Sequence, residues 1–373
     1  MNQTSPTSRP RWFPNGAAPL ILSALLLASP ARAFIINVTY DSSVTSSANS
    51  AAIQSAFGWA VQTFENQFAN ATSVNITVYW GAVGPFAGGI NLGASSTAEV
   101  DTTYADIKAA LQNARSSAAD YSSVASLPAS DPLPGVQWWI SQAEAKVLGL
   151  IPIDSTDDGD VGFADNVTYT FNPTNRAVPL EFDFISVAEH EISEVLGRGY
   201  GLDYPPGNGY LPYDLFRFTG NGTRNFDPFG TSVYFSVDDG ATVLKYFYPD
   251  ITTGDAQDWA SGATPDSYDA YLYDGLQGDL TTNDLMALDV LGYNSPGVKA
   301  AHVTGTALTK SSFQISFTNL AATSYAILAT TNLTLPTTSW TVLGTAIENP
   351  VGQYAFTDPY ATNRLRFYRV RSP

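Results

Sequence analysis

The chain contains no cysteine in 373 residues. That excludes a disulfide framework and any thiolate metal site. Histidine is almost as scarce. His190 and His302 are the only two, so any imidazole-based metal site is very limited. A Ser-His-Asp centre is excluded as well, because no G-x-S-x-G surrounds a plausible nucleophile. There is no phosphate-cradling loop and no internal repeat. Charged residues are only 14% of the chain, but aromatics reach 13%, with 20 Tyr and 20 Phe, which excludes a disordered composition. The apolar run Pro19–Ala28 is too short to span a bilayer, and no later stretch is long and apolar enough to do so.

That short run has another use. Arg9 and Arg11 precede it, and "SPARA" follows with Ala31 and Ala33 at A-x-A spacing. Residues 1–33 therefore read as a secretory signal peptide cleaved after Ala33. The expectation is a soluble exported protein, periplasmic or extracellular, with no membrane anchor. The formal net charge is −17, yet from Gly297 onward there are six basic and two acidic residues. The acidic excess thus lies in Phe34–Pro296, which argues against nucleic acid as a partner. An acidic surface keeps an exported protein soluble.

Periodicity divides the rest. "FIINVTY" from Phe34 and "VNITVYWGAV" from Val74 read as strands. Between them Ile53, Phe57, Ala60, Val61, Phe64 and Phe68 recur at helical spacing. "GPFAGGINLG" (Gly84–Gly93) reads as a loop or edge crossing. A second helical region follows from Thr102. A third is expected over "QWWISQAEAKVLGLI", stopped by Gly149 and Pro152. An acidic turn at Asp154–Asp160 leads into a strand. A helix begins near Asp183, and a Gly-, Pro- and Tyr-rich loop covers Gly199–Tyr213. A hairpin is expected around Asp238, Asp239 and Gly240, and a closing helix over Gly278–Tyr293, capped at Thr281 or Thr282 and stopped by Gly292. Asn294–His302 reads as a linker, with His302 on the surface. Beyond it, alternation at Phe313, Ile315, Phe317, Tyr325, Ile327, Trp340, Val342 and "RLRFYRV" predicts a small β-sandwich.

The chemistry sits in "VAEHEISEVLGRG" (Val187–Gly199). Ile185, Ala188, Ile192, Val195 and Leu196 form the stripe that faces the core. His190 and Glu194, four apart, stand one above the other on the neighbouring face. Two ligands on successive turns of a rigid helix can grip one metal, and Glu191 beside them can take a proton from water. This is the logic of the H-E-x-x-H zinc peptidases, with Glu194 in place of the second His; Glu binds zinc normally through oxygen.

The order of elements resembles metzincin-like zinc peptidases. More closely, the chain resembles a group of bacterial exported predicted metallopeptidases. The shared motifs are "HEISEV" (His190–Val195) with Gly197-Arg198, "YDLFR" (Tyr213–Arg217) and "YFS" (Tyr234–Ser236). They continue through Gly254-Asp255 with Asp258-Trp259 and end in the helix Asp284–Tyr293. The likeness covers about Phe34–Tyr293. It implies an α+β, metzincin-like domain with His190 and Glu194 as ligands and Glu191 as base. Against H-E-x-x-H-x-x-G-x-x-H, Tyr200 stands where the third His would be. The third ligand is then an oxygen donor: Asp203, with Tyr200 and Asp214 left open.

Some features have structural readings beside the functional ones. Arg198, four residues after Glu194, can pair with it, and if it claims Glu194 the metal site is lost. Arg198, Asp214 and Arg217 are candidates to hold the ligands in place from behind, or, for Asp214 and Arg217, a core loop with an ordinary ion pair. Asp255, Asp258 and Trp259 read as a turn. Asp154, Asp157, Asp158 and Asp160 suit a Ca2+ loop or plain turn chemistry. The resulting expectation is three segments: signal 1–33, metallopeptidase-like domain 34–296 and β-sandwich 297–373. The function expected is a secreted Zn2+-dependent peptidase, a monomer acting on protein or peptide laid along an acidic edge strand at Gly159–Phe163. The alternative is a catalytically inactive exported binding or surface protein that retains the fold.

Overall fold

Strand β1 (Ile35–Tyr40) leads through the short helix α1 (Ser42–Thr45) into α2 (Ser50–Gln67), and β2 (Ser73–Trp80) returns parallel to β1. The structure is a computed structural model and describes residues 34–262, 264–294, 302–309, 311–318, 325–333, 335, 339–348, 353–361 and 365–371. Residues 1–33 and 295–301, where the sequence places the signal and most of the linker, lie outside the described residues, as does the side chain of His302. Asp41 caps α1 by accepting from the Ser43 N–H at 2.7 Å. Helix α2 buries Ile53, Phe57, Ala60, Val61 and Phe64, and β2 buries every second residue, Val74, Ile76 and Val78. Both patterns follow the sequence periodicity.

Next come β3 (Gly93–Thr97), β4 (Glu99–Thr102), α3 (Tyr104–Ala114), α4 (Ala118–Ser126), β5 (Trp138–Ser141), α5 (Gln142–Val147) and β6 (Gly159–Phe163). The main sheet has the order β1-β2-β6-β3, with β6 parallel to β2 and antiparallel to β3. This corrects one expectation: Gly159–Phe163 is an interior strand, and the edge is β3, which begins at Gly93 where the loop or edge crossing expected over Gly84–Gly93 ends. Small residues are what this position demands: a Cβ on Gly93 would lie 2.6 Å from Val187 Cγ1, on the helix packed against the strand. The third helical region is also half strand. Trp138–Ser141 pairs antiparallel with β4, and Ser141 then caps α5 by accepting from the Glu144 N–H at 3.0 Å. The β-forming Trp-Trp-Ile run outweighs the helical pattern behind it.

Short β7 (Tyr169–Thr170) and β8 (Phe182–Asp183) precede helix α6 (Phe184–Val195). Asp183 caps α6, accepting from the Ile185 N–H at 3.2 Å. Gly197, at φ +116, turns the chain away from its end. Ile185, Ala188, Ile192, Val195 and Leu196 are all fully buried. Four small strands follow, β9 (Arg217–Gly220), β10 (Thr223–Arg224), β11 (Tyr234–Phe235) and β12 (Lys245–Tyr246), and then helix α7 (Thr282–Asp289). Strands β11 and β12 form the expected hairpin. Asp284 accepts from the Thr281 N–H at 2.6 Å at the start of α7, and Gly292, φ +95, follows its end. The arrangement is mixed α+β, and the apolar residues of this part form one buried cluster. Among the described residues no helix is long and apolar enough to cross a membrane.

Seven further strands are β13 (His302–Leu308), β14 (Phe313–Thr318), β15 (Ala326–Thr330), β16 (Thr341–Thr345), β17 (Ile347–Glu348), β18 (Gln353–Asp358) and β19 (Phe367–Arg371). They make two antiparallel sheets, β13-β14-β18-β17 and β16-β15-β19. Ile315, Phe317 and Tyr354 from the first share a separate core with Tyr325 and Ile327 beside or on the second. Val342 faces solvent, contrary to its place in the alternation.

Candidate metal site

Helix α6 places His190 and Glu194 one turn apart at the wall of a cleft of about 350 Å³ whose other wall includes β3. His190 Nδ1 lies 2.9 Å from the Ser267 carbonyl oxygen, which can only accept, so Nδ1 carries the proton. The other nitrogen, Nε2, lies 3.3 Å from Glu194 Oε1 and 3.3 Å from Asp258 Oδ1, so a proton on it is shared between two carboxylate oxygens, and a metal ion would take the place of that proton. The three donor atoms lie within 4.8 Å of one another, and this group could hold a metal ion. Ligands at zinc distances and tetrahedral angles stand about 3.3–3.5 Å apart, so the donor spacing fits. Anchoring the far nitrogen of a ligating His on a backbone carbonyl is the usual way its tautomer and ring orientation are set.

A second layer fixes the two carboxylates. Glu194 Oε2 accepts from the Ser95 hydroxyl of β3 at 2.6 Å, and its Oε1 accepts from Gln257 Nε2 at 2.7 Å. Arg198 is fully buried behind the group. Its Nη1 donates to Asp258 Oδ1 at 2.7 Å, and its Nη2 stands 3.4 Å from Glu194 Oε1. Its Nε donates to Ser193 Oγ at 2.7 Å, and its guanidinium lies 4.3 Å from the centre of the Tyr268 ring. Arg198 therefore does reach Glu194, as the helical spacing allows, but its short bond is to Asp258. Burial alone would raise the Glu194 carboxyl. The hydrogen bond and charge of His190, with Arg198 and Ser95, instead hold it at about 2. Glu191 is pushed well above the usual carboxyl range by burial first and then by the Glu194 charge. Against the usual effect of burial, the Asp258 charge and the bonds to Asp258 and Glu194 raise His190 well above its ordinary value.

The other sequence candidates fall differently. Asp203 Oδ1 is taken by the Gly207 and Gly209 amides, at 2.7 and 3.0 Å, and closes its own loop. Asp214 is fully buried, and its Oδ2 accepts from the amides of Gly201, Leu202 and Leu211, each at 3.0 Å. Neither belongs to the three-donor group. Tyr200 lines the cleft, its hydroxyl pushed up to about 12 by burial and then by Asp255, but it too is outside that group. Arg217 stacks over Phe247 at 4.5 Å and donates to the Ala256 carbonyl, clamping the backbone just before Gln257 and Asp258. Burial pulls its guanidinium down to about 10. The oxygen donor that joins His190 and Glu194 is Asp258, read from sequence as part of a turn. Nothing in its local spacing set it apart, since it lies 64 residues beyond Glu194 in the chain.

The acidic run at Asp154–Asp160 already contains a cation of its own. Lys146 Nζ sits 2.9 Å from Asp154 Oδ1 and 2.7 Å from Asp158 Oδ1, and Asp157 Oδ2 accepts from the Thr77 hydroxyl at 2.6 Å. Among the described residues, the His190, Glu194 and Asp258 group is the one set placed to hold a metal. Comparison of the chain with known protein families, curated proteins and solved structures finds no match.

Proposed function

We propose that the segment from Phe34 to the end of α7 is an exported zinc-dependent peptidase, with His190, Glu194 and Asp258 as ligands and Glu191 as general base. The observation that carries this reading is His190 Nε2, anchored through Nδ1 and set 3.3 Å from one oxygen of each carboxylate. The order of elements supports the metzincin-like assignment of the fold. Zinc, when bound, supplies Lewis acidity toward a carbonyl oxygen and toward water. Glu191, which the positive charge of a bound ion would return to its ionised form, takes the proton given up by the attacking water and passes it to the leaving nitrogen. An extended peptide adds to the edge of β3, whose residues line the cleft. Ser95 and Arg198 keep the two ligand carboxylates oriented while that happens.

A second reading has an observation of its own. Arg198 already gives positive charge to both carboxylates. On that reading the chain is an inactive exported binding or surface protein that keeps the fold. Metal content separates the two. About one zinc per chain in protein purified without chelators, lost in His190→Ala and Asp258→Ala, supports the peptidase. No metal after zinc is offered at neutral pH overturns it. Glu191→Gln should retain zinc and abolish casein hydrolysis.

A further inference from the structure

Ser267 meets the site through its main chain, and every polar atom it has is committed. Its carbonyl oxygen takes the His190 Nδ1 proton at 2.9 Å, its N–H donates to the Asp279 carbonyl at 3.1 Å, and its hydroxyl donates to Glu189 Oε2 at 2.8 Å. Ser267 and Glu189 are both buried, and neither lines the cleft. With three bonds made, the backbone that carries the Ser267 carbonyl has little freedom to turn.

Arg176, also buried, ties the same parts together from behind. Its Nε lies 3.0 and 2.9 Å from the two oxygens of Asp183, the residue that caps α6, and its Nη2 stands 3.8 Å from Glu189 Oε2 on the same helix. Its Nη1 donates to Asp279 Oδ1 at 2.9 Å, and its Nη2 donates to the Gly278 carbonyl at 2.5 Å. One guanidinium thus joins the helix that carries His190 to the segment that receives the Ser267 N–H. A buried ion cluster of this kind needs no serine, because Arg176 already has Asp183 and Asp279. The bond from Ser267 to Glu189 changes no charge balance. What it supplies is direction.

We infer that Ser267 and Glu189 are positioning residues for His190: their bond fixes the carbonyl that fixes the ring, and Arg176 holds the frame in which they meet. The inference rests on the metal reading of the site for what the ring is aimed at. Nε2 must face oxygens of Glu194 and Asp258, each 3.3 Å away, and rotation of the ring out of that place is opposed by the bond at Nδ1.

The test compares four full-length chains: wild type, Ser267→Ala, Glu189→Asp and Glu189→Gln. Asp keeps the charge beside Arg176 but is one methylene too short to reach the hydroxyl. Gln gives up the charge but keeps an acceptor oxygen at the same reach. A merely structural carboxylate ranks Asp above Gln; positioning ranks Gln above Asp. Zinc affinity is read by competition with a chelator, beside thermal unfolding. Ser267→Ala and Glu189→Asp should each bind zinc about tenfold more weakly than wild type, and Glu189→Gln within about twofold of it. A second readout needs no metal. With only two histidines in the chain, the His190 Nδ1–H can be followed in nitrogen-edited proton spectra. It should exchange slowly with water in wild type and Glu189→Gln, and faster in the other two. If either Ser267→Ala or Glu189→Asp does not fold, the other is set against Glu189→Gln; failure of both assigns the bond to the fold and overturns the inference. Any ranking that does not place Gln above Asp overturns it too. No zinc in any chain, with the exchange ranking intact, removes the peptidase and keeps the anchor.

Discussion

Gly93 lies on the edge strand directly against the proposed base. A Cβ added there would stand 2.2 Å from Glu191 Oε1 and 2.6 Å from Val187 Cγ1. Normal contact needs over 3 Å, so in Gly93→Ala the carboxyl must withdraw by about 1 Å. The atom that yields is the far end of a flexible side chain, and the Val187 methyl can move with a rotamer adjustment of about 1 kcal/mol. Removing a glycine from a strand offsets part of that, by about 0.5–1 kcal/mol. Net stability should change by no more than about 1 kcal/mol, a Tm shift of about 2–4 °C in a domain of this size. A base misplaced by about 1 Å is another matter, and kcat should fall about 100-fold. The assay pairs thermal unfolding by circular dichroism with casein hydrolysis and zinc content in the same preparation. Unchanged kcat with unchanged Tm would show that Glu191 is not the group whose placement matters. A collapse in Tm with loss of zinc would show that the contact holds the fold rather than the base.

Other expectations separate neighbouring roles. Asp258→Ala should lose zinc, whereas Asp203→Ala should keep it and only loosen the loop through Gly209; equal zinc content in the two variants refutes the assignment of the third ligand. Glu144 is fully buried, neither of its carboxyl oxygens has a partner, and burial holds it well above the usual range. A folded value above the unfolded one means that its proton stabilises the fold at low pH and that this contribution is lost as pH rises above the ordinary carboxyl value. Glu144→Gln should therefore gain on the wild type progressively as pH rises above the ordinary carboxyl value, read by urea titrations across a pH series; a difference that does not vary with pH refutes this linkage. Lys146→Ala leaves Asp158 buried without its cation and should cost about 3–5 kcal/mol by denaturant unfolding. A loss below about 1 kcal/mol would mean that the pair contributes little.

What could be read from the sequence was local. His190, Glu191 and Glu194 lie within five residues on one helix, so helical spacing alone brings them together. The stripe from Ile185 to Leu196 points α6 into the core by the same rule. The third donor was not readable, because only the packing of the loop at Ala256 against Arg217 carries Asp258 back to His190. Proximity in sequence drew attention to Asp203, which its own loop amides consume. The edge strand was hidden for a different reason. Its inward positions, Gly93, Ser95 and Thr97, are small or polar because a helix and a carboxylate press on them, so they lack the apolar alternation that announces a strand. Trp138–Ile140 shows the reverse error, where a helical pattern further along masked three good strand formers.

Arg198 bears on the order of events in the life of the chain. A pocket made of two carboxylates and an imidazole would ordinarily repel itself until an ion arrived, and folding would have to wait for loading. With a guanidinium sealed behind both carboxylates, the receptacle can close while still empty. For the proposed zinc enzyme the consequence is an order of events: the chain can finish folding first and be charged with metal later.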